Sequence, residues 1–229
     1  MFSHTSGRPG AIDVASVNRG LIVGGWVALG FFCVTGGLTL AGFGPHLWSG
    51  FTSWLQDLQS PWLTTAMKVI TTGGAWYVFL VVCLVLVIVP ATRLRYGVPI
   101  AAVTVIAGGL NAALKAIFRE PRPDGHRLIV ESGFSFPSGH AMISGAFVAM
   151  AVFLVLVYWA SRRARITVSV LLIVAGGLIG TSRVYLGVHW PLDILGGFLA
   201  AFAVFVLTAW LWWRLWPMVN RSRHQSGSR

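Results

Sequence analysis

Six long apolar runs, separated by short charged or proline-containing segments, set the limits on this fold. They cover roughly residues 21–43, 76–92, 96–114, 141–160, 166–181 and 194–213. A helix needs about 20 apolar residues to cross the hydrocarbon core of a bilayer, and most of these runs are near that length. In lipid, backbone N–H and C=O groups have to be paired within the segment, which makes a spanning run a helix. Composition agrees, because 10% of the residues are charged where a soluble domain has about 25%. The 27 glycines suit close helix contacts in a membrane. The expected fold is all-α, a polytopic membrane helical bundle of about six transmembrane helices. It forms one domain over residues 1–229, with loose tails at 1–19 and 218–229 and no internal repeat. The run at 166–181 is short and is expected to continue past Ser182 into a polar cavity.

Residues 47–70 differ in kind. Trp48, Phe51, Trp54, Leu55, Leu58, Trp62 and Leu63 recur at helical spacing among Ser49, Gln56, Asp57 and Gln59. This predicts an amphipathic helix divided by Pro61. Its tryptophans favour the headgroup level, so the segment reads as interfacial; a solvent-side hairpin packed on the bundle is the competing reading. The first run is too long for the roughly 7–15-residue apolar region of a signal peptide. Cys33 and Cys83 lie inside apolar runs and read as small core residues, not as a disulfide or metal pair. The basic stretch 221–229 is expected to be disordered.

The formal charge is +11, from 17 Lys and Arg against 6 Asp and Glu. In a soluble protein that excess would point to nucleic acid. Here the cations fall between apolar runs, so the positive-inside rule accounts for them and no nucleic-acid partner is expected. With the N-terminus inside, the inner segments hold 11 cations: Arg8, Arg19, Arg93, Arg95, Arg162, Arg163, Arg165, Arg214, Arg221, Arg223 and Arg229. The outer segments hold 6: Lys68, Lys115, Arg119, Arg122, Arg127 and Arg183. Both termini are therefore expected in the cytoplasm of a plasma or inner membrane.

The remaining ionisable residues near the spans gather at three places on the outer side. Such groups are costly beside lipid and are functional candidates. The first cluster runs from Lys115 to Arg122-Pro123. Pro121 and Pro123 hold the Arg122 backbone extended, and its guanidinium suits bidentate phosphate binding. Snorkelling to the interface is the plain alternative. The second is Pro137-Ser138-Gly139-His140. Ser138 suits a helix N-cap, and the free N–H groups of a helix start favour an anion beside His140. A capped helix with a polar interfacial histidine fits as well. The third is Ser182-Arg183 followed by His189 and Asp193. The i,i+4 spacing lets the carboxylate hold one imidazole nitrogen and leave the other basic, although Asp193 also suits a helix first turn on its own. Together the clusters supply three cations, a helix N-terminus, a hydroxyl and two histidines, the inventory phosphoryl transfer needs. No carboxylate cluster suggests a metal, so neither metal nor cofactor is expected. Arg119, Asp124, His126, Arg127 and Glu131 read as solvated loop charges, though they are also placed to meet a headgroup. Tyr185 and Trp190 read as interface anchors, and His46 as a polar surface residue.

The pattern K-x6-R-P, P-S-G-H, S-R-x5-H-x3-D resembles that of the type 2 phosphatidic acid phosphatase family, the lipid phosphate phosphatases. The match covers Lys115 to Asp193, about a third of the chain, without a departure. Three spaced motifs in order are far more specific than one. The resemblance implies that His189 attacks phosphorus to form a phosphohistidine and that Asp193 orients it. It implies that His140 protonates the leaving oxygen, and that Lys115, Arg122, Ser138, Gly139 and Arg183 hold the phosphoryl oxygens. It also implies a bacterial-type membrane enzyme with its site at the outer face. The implied substrate is a lipid phosphate such as undecaprenyl diphosphate, phosphatidylglycerophosphate or phosphatidic acid, with membrane lipids as the other partners. A lipid phosphotransferase using the same phosphohistidine is the nearest alternative. A non-enzymatic transporter or scaffold is the remote one.

Overall fold

The computed structural model describes residues 14–44, 47–124 and 127–226, with side chains described between residues 19 and 215. The described elements are all helical: α1 (Val14–Leu40), α2 (Ser49–Asp57), α3 (Pro61–Gly73), α4 (Trp76–Ile88), α5 (Val98–Phe118), α6 (Gly139–Tyr158), α7 (Arg162–Tyr185) and α8 (Pro191–Ser226). A π-helical turn, Arg93–Gly97, leads into α5.

Among the described residues, five stretches are long and apolar enough to cross a membrane: Arg19–Leu40, Arg93–Phe118, Gly139–Tyr158, Arg162–Tyr185 and Pro191–Leu215. A sixth crossing is available only if α3 and α4, bent by 46° at their junction, count as one. The run at 76–92 was expected to cross alone. Its helix has 13 residues, about 20 Å at 1.5 Å per residue, short of the roughly 30 Å core. Pro90 explains the early stop. The residue before a proline is driven out of the α region, and Val89 is extended, with ψ 115°. Pro61 divides residues 47–70 as expected and opens α3 in its first turn. α7 continues through Ser182 to Tyr185, with that end buried.

The amphipathic logic of a soluble protein is inverted. Trp26, Val105, Ile117, Leu171 and Leu207 are exposed on the outside of the bundle, where lipid is the solvent. α6 runs through the centre, packed on α5, α7 and α8, while α1 closes against α8. Val103, Ala107, Met142, Ala146, Met150, Ala201 and Phe205 form the core between them. One close approach matters for the site. A Cβ on Gly197 would lie 2.9 Å from the Ser138 carbonyl oxygen, so only glycine lets α8 touch the start of α6. That contact sets Asp193, one turn earlier on α8, beside the 137–140 turn.

Two tail expectations are corrected. α1 begins at Val14, within the expected N-terminal tail, and α8 extends to Ser226, so 221–226 is helical. An existing helix propagates without a new nucleation cost, and arginine is a good helix former. His46 and His126 lie outside the described residues, so the readings made of them remain expectations.

Candidate active site

The three sequence clusters converge at one end of α5, α6 and α8. Lys115 occupies the last turn of α5. Its ammonium donates to the Ser135 carbonyl at 3.0 Å and also to the Phe134 carbonyl. Arg119 ends α5 in a left-handed conformation, φ 49°, and turns the chain into the 120–138 loop. That loop is pinned from below by Phe136, which is fully buried against Phe32 and Phe118.

Arg122 is 8% exposed and nearly every donor it has is fixed. Nε donates to the Gly133 carbonyl at 2.9 Å, Nη2 to Ser132 at 3.0 Å and Nη1 to Val188 at 2.9 Å. The same Nη1 lies 3.1 Å from His189 Nε2. A guanidinium only donates, so Nε2 carries the lone pair and the proton is on Nδ1. On that side Nδ1 is 3.1 Å from Asp193 Oδ2 and 3.1 Å from Ser135 Oγ. Asp193 Oδ2 also accepts from the Trp190 backbone N–H at 2.8 Å and from Ser135 Oγ. The His189 imidazole is held well below its ordinary pKa, first by burial and then by the charges of Arg122, Lys115 and Arg183. A neutral imidazole with a basic Nε2 is the nucleophilic form.

Gly139 and His140 open α6, and Ser138 holds the N-cap position in extended geometry. The expected side-chain cap is absent: Ser138 Oγ makes no hydrogen bond and is fully buried. The first N–H groups of a helix have no intrahelical acceptor, so this turn presents donors and a hydroxyl together. His140 hydrogen-bonds the Thr71 backbone at the end of α3. Here a second glycine is required, since a Cβ on Gly74 would lie 2.3 Å from Ile179 and 3.1 Å from His140 Cδ2.

Arg183 is 1% exposed. Nη1 donates to Thr71 Oγ1 at 2.9 Å and Nη2 pairs with Glu131, whose other oxygen is 3.7 Å from Arg122 Nη2. Glu131 was expected to be a solvated loop charge. It is instead the carboxylate between the two arginines. Burial opposes its ionisation, but Arg183, Arg122 and His140 outweigh burial and hold its pKa below the usual carboxylate value. Arg127 and Asp124 match the loop-charge reading, 3.6 Å apart at the surface, and Arg119 is exposed.

A cavity of about 420 Å³ is lined by these groups. Lys115, Arg122, Glu131, Gly139, His140 and His189 line its polar side, and Trp76, Gly108 and Ile143 its apolar side. Ser138, Arg183 and Asp193 are fully buried and reach the cavity through neighbours, Arg183 through Glu131. Among the described residues no three His, Cys, Asp or Glu side chains form a metal-binding group.

Three residues with a place here carried no sequence signal: Ser135, Thr71 and Asn111. Asn111 is buried one turn before Lys115 and donates to the Pro137 carbonyl at 3.0 Å. Tyr185, read as an interface anchor, is fully buried. Its Oη lies 3.0 Å from Thr64 Oγ1 and accepts from the Ser60 N–H at 3.4 Å, which docks α3 on the end of α7. Trp190 acts on the site through its backbone N–H.

Residues 96–217 match the model of the PAP2 superfamily. The chain is 36% identical over 156 residues to phosphatidylglycerophosphatase B of Bacillus subtilis, covering 66% of this chain and 75% of that protein. It is 32% identical over 143 residues to an undecaprenyl-diphosphatase of Sulfolobus acidocaldarius, covering 60% of this chain and 65% of that one. The crystal structure of a transmembrane PAP2-type phosphatidylglycerolphosphate phosphatase from Bacillus subtilis superposes with a TM-score of 0.70 at 28% identity, covering 82% of this chain and 94% of that one. With its three motifs folded into one site at the end of a membrane bundle, the chain belongs to the PAP2 superfamily as a multi-pass membrane lipid phosphatase.

Proposed function

We propose that the enzyme dephosphorylates a lipid phosphate through a phosphohistidine on His189, without a metal ion. The observation that carries this reading is the pair of contacts on His189. Asp193 holds Nδ1–H at 3.1 Å while Nε2 lies 3.1 Å from Arg122 Nη1, and both His189 and Arg122 line the cavity. In the first step the Nε2 lone pair forms a bond to phosphorus. The bond from phosphorus to the leaving oxygen breaks, and that oxygen takes a proton from His140. In the second step His140 accepts a proton from water as the water oxygen attacks phosphorus. The P–N bond breaks, its electron pair returns to Nε2, and inorganic phosphate leaves. Lys115, Arg122 and Arg183, with the Ser138 hydroxyl and the Gly139 end of α6, stabilise the charge on the transferring group. With Lys115 and Arg122 lining the cavity and Arg183 behind Glu131, a metal ion is not required for that role.

The substrate is a lipid phosphate on this reading because Lys115 and Arg122 share one cavity with apolar Trp76 and Ile143. Phosphatidylglycerophosphate and undecaprenyl diphosphate are the first candidates, after the names of the relatives, with phosphatidic acid third. Both termini lie in the cytoplasm and the site at the outer face. In support, Arg95 stacks on Tyr158 and Arg165 donates to the Leu156 carbonyl. These cations sit at the end of α6 opposite His140, as the positive-inside rule requires of a cytoplasmic face.

Phosphate release by purified enzyme in EDTA tests this on a panel of those three lipids, with His189→Ala beside it. Release that requires His189 and persists in EDTA is expected. Release that EDTA abolishes and a divalent ion restores would overturn the metal-free step.

A further inference from the structure

We propose that Ser135 is a positioning residue that sets the tautomer of the nucleophile and shares the charge that forms on it. This rests on the His189 mechanism above. Ser135 is fully buried and belongs to none of the three motifs. Its backbone N–H donates to the Glu120 carbonyl at 2.8 Å, and its carbonyl accepts from Lys115 at 3.0 Å, so the first cluster fixes its position. Its side chain reaches the third cluster, meeting both Asp193 Oδ2 and His189 Nδ1.

A hydroxyl has one hydrogen to give. The carboxylate can only accept, so Ser135 donates to Asp193 Oδ2. Toward Nδ1, 3.1 Å away, Oγ is then an acceptor, and Nδ1 has to carry the proton. Arg122 imposes the same tautomer independently from the Nε2 side, because its N–H has to meet a lone pair there. When Nε2 bonds to phosphorus the ring becomes cationic and Nδ1–H more acidic. Two acceptors, Asp193 Oδ2 and Ser135 Oγ, then face that hydrogen. The hydroxyl also holds Asp193 in place, leaving Oδ2 shared among Trp190 N–H, Ser135 and His189.

Ser135→Ala and the nearly isosteric Ser135→Cys test this, with His189→Ala as the control for the mechanism itself. Both Ser135 variants are expected to lose about 10- to 100-fold in kcat, the weight of a hydrogen bond to a charged group. KM and inhibition by inorganic phosphate are expected to stay within about twofold of the parent, because the phosphate cradle is untouched. In an Asp193→Asn background, Ser135→Ala is expected to cost less than about twofold, since the two act as one unit. Parent-like kcat in Ser135→Cys, a loss confined to KM, or an equal fold-loss in both backgrounds would each overturn the proposal. Undiminished activity in His189→Ala would instead remove the mechanism on which it rests.

Discussion

His189 Nε2 lies 3.1 Å from Arg122 Nη1, so the nitrogen that carries the lone pair is aimed at a fixed cation. The contact satisfies a buried lone pair in the resting enzyme and, on the proposed mechanism, sets a cation beside the transferring phosphoryl group. It also keeps the imidazole neutral. Burial acts first, and Arg122 is the leading charge after it.

The acid limb of the pH profile tests that balance. A nucleophile whose pKa lies well below the ordinary value of about 6.5 stays neutral, and active, at mildly acidic pH. The limb of kcat/KM assigned to His189 is therefore expected at lower pH than an ordinary histidine would give. In Arg122→Gln the opposing charge is gone, so the limb moves to higher pH while kcat/KM falls at least about 100-fold. An unmoved limb would break the link between the two residues.

Glu131 joins Arg183 and Arg122. Its replacement by Gln leaves Arg183, at 1% exposed, with its charge uncompensated. Breaking a buried pair costs about 3–5 kcal/mol. The Glu131 side chain is 31% exposed, so a smaller loss of about 2 kcal/mol is expected, with a fall in kcat/KM. Thermal unfolding in detergent measures it, and an unchanged midpoint would show that Arg183 does not rely on this carboxylate.

Gly197 lets α8 touch the 137–140 turn. Gly197→Val is expected to destabilise the fold by about 1–3 kcal/mol through overpacking. It should lower kcat by moving Asp193 away from Ser138, whose N–H now donates to the Asp193 carbonyl at 3.0 Å. Gly30→Val, at a position with nothing within 4 Å of an added Cβ, is the paired control and is expected to behave like the parent.

Tyr185 docks the α3 elbow that carries Thr71 to Arg183 and His140. Tyr185→Phe removes the hydroxyl from Thr64 and the Ser60 N–H, and is expected to cost about 1 kcal/mol. Faster proteolysis between α2 and α3 would report the loosened elbow, and parent-like cleavage would remove it from the account.

Much of this was legible in the sequence because spacing carries it. Runs near 20 residues define the spans, and the i,i+4 step from His189 to Asp193 brings a carboxylate to an imidazole. The residues that escaped are those whose partners are distant along the chain. Ser135 meets Asp193 across 58 residues, and Arg183 meets Thr71 across 112. No local periodicity records such a meeting. Glu131 looked like a loop charge because polar loops carry many, and only the fold places it between two guanidiniums. Tyr185 shared its pattern with interface anchors until α3 was seen to cover it. The run at 76–92 overstated its helix because hydropathy does not register the backbone restriction before Pro90.

The central claim is a covalent bond between phosphorus and His189 Nε2. Enzyme mixed with radiolabelled lipid phosphate and quenched within milliseconds is expected to carry label that is stable to alkali and labile to acid. Mass spectrometry should place it on His189, with nothing trapped in His189→Ala. Label on another residue, or turnover with no labelled enzyme at any quench time while Asp193→Asn slows both steps equally, would contradict the account.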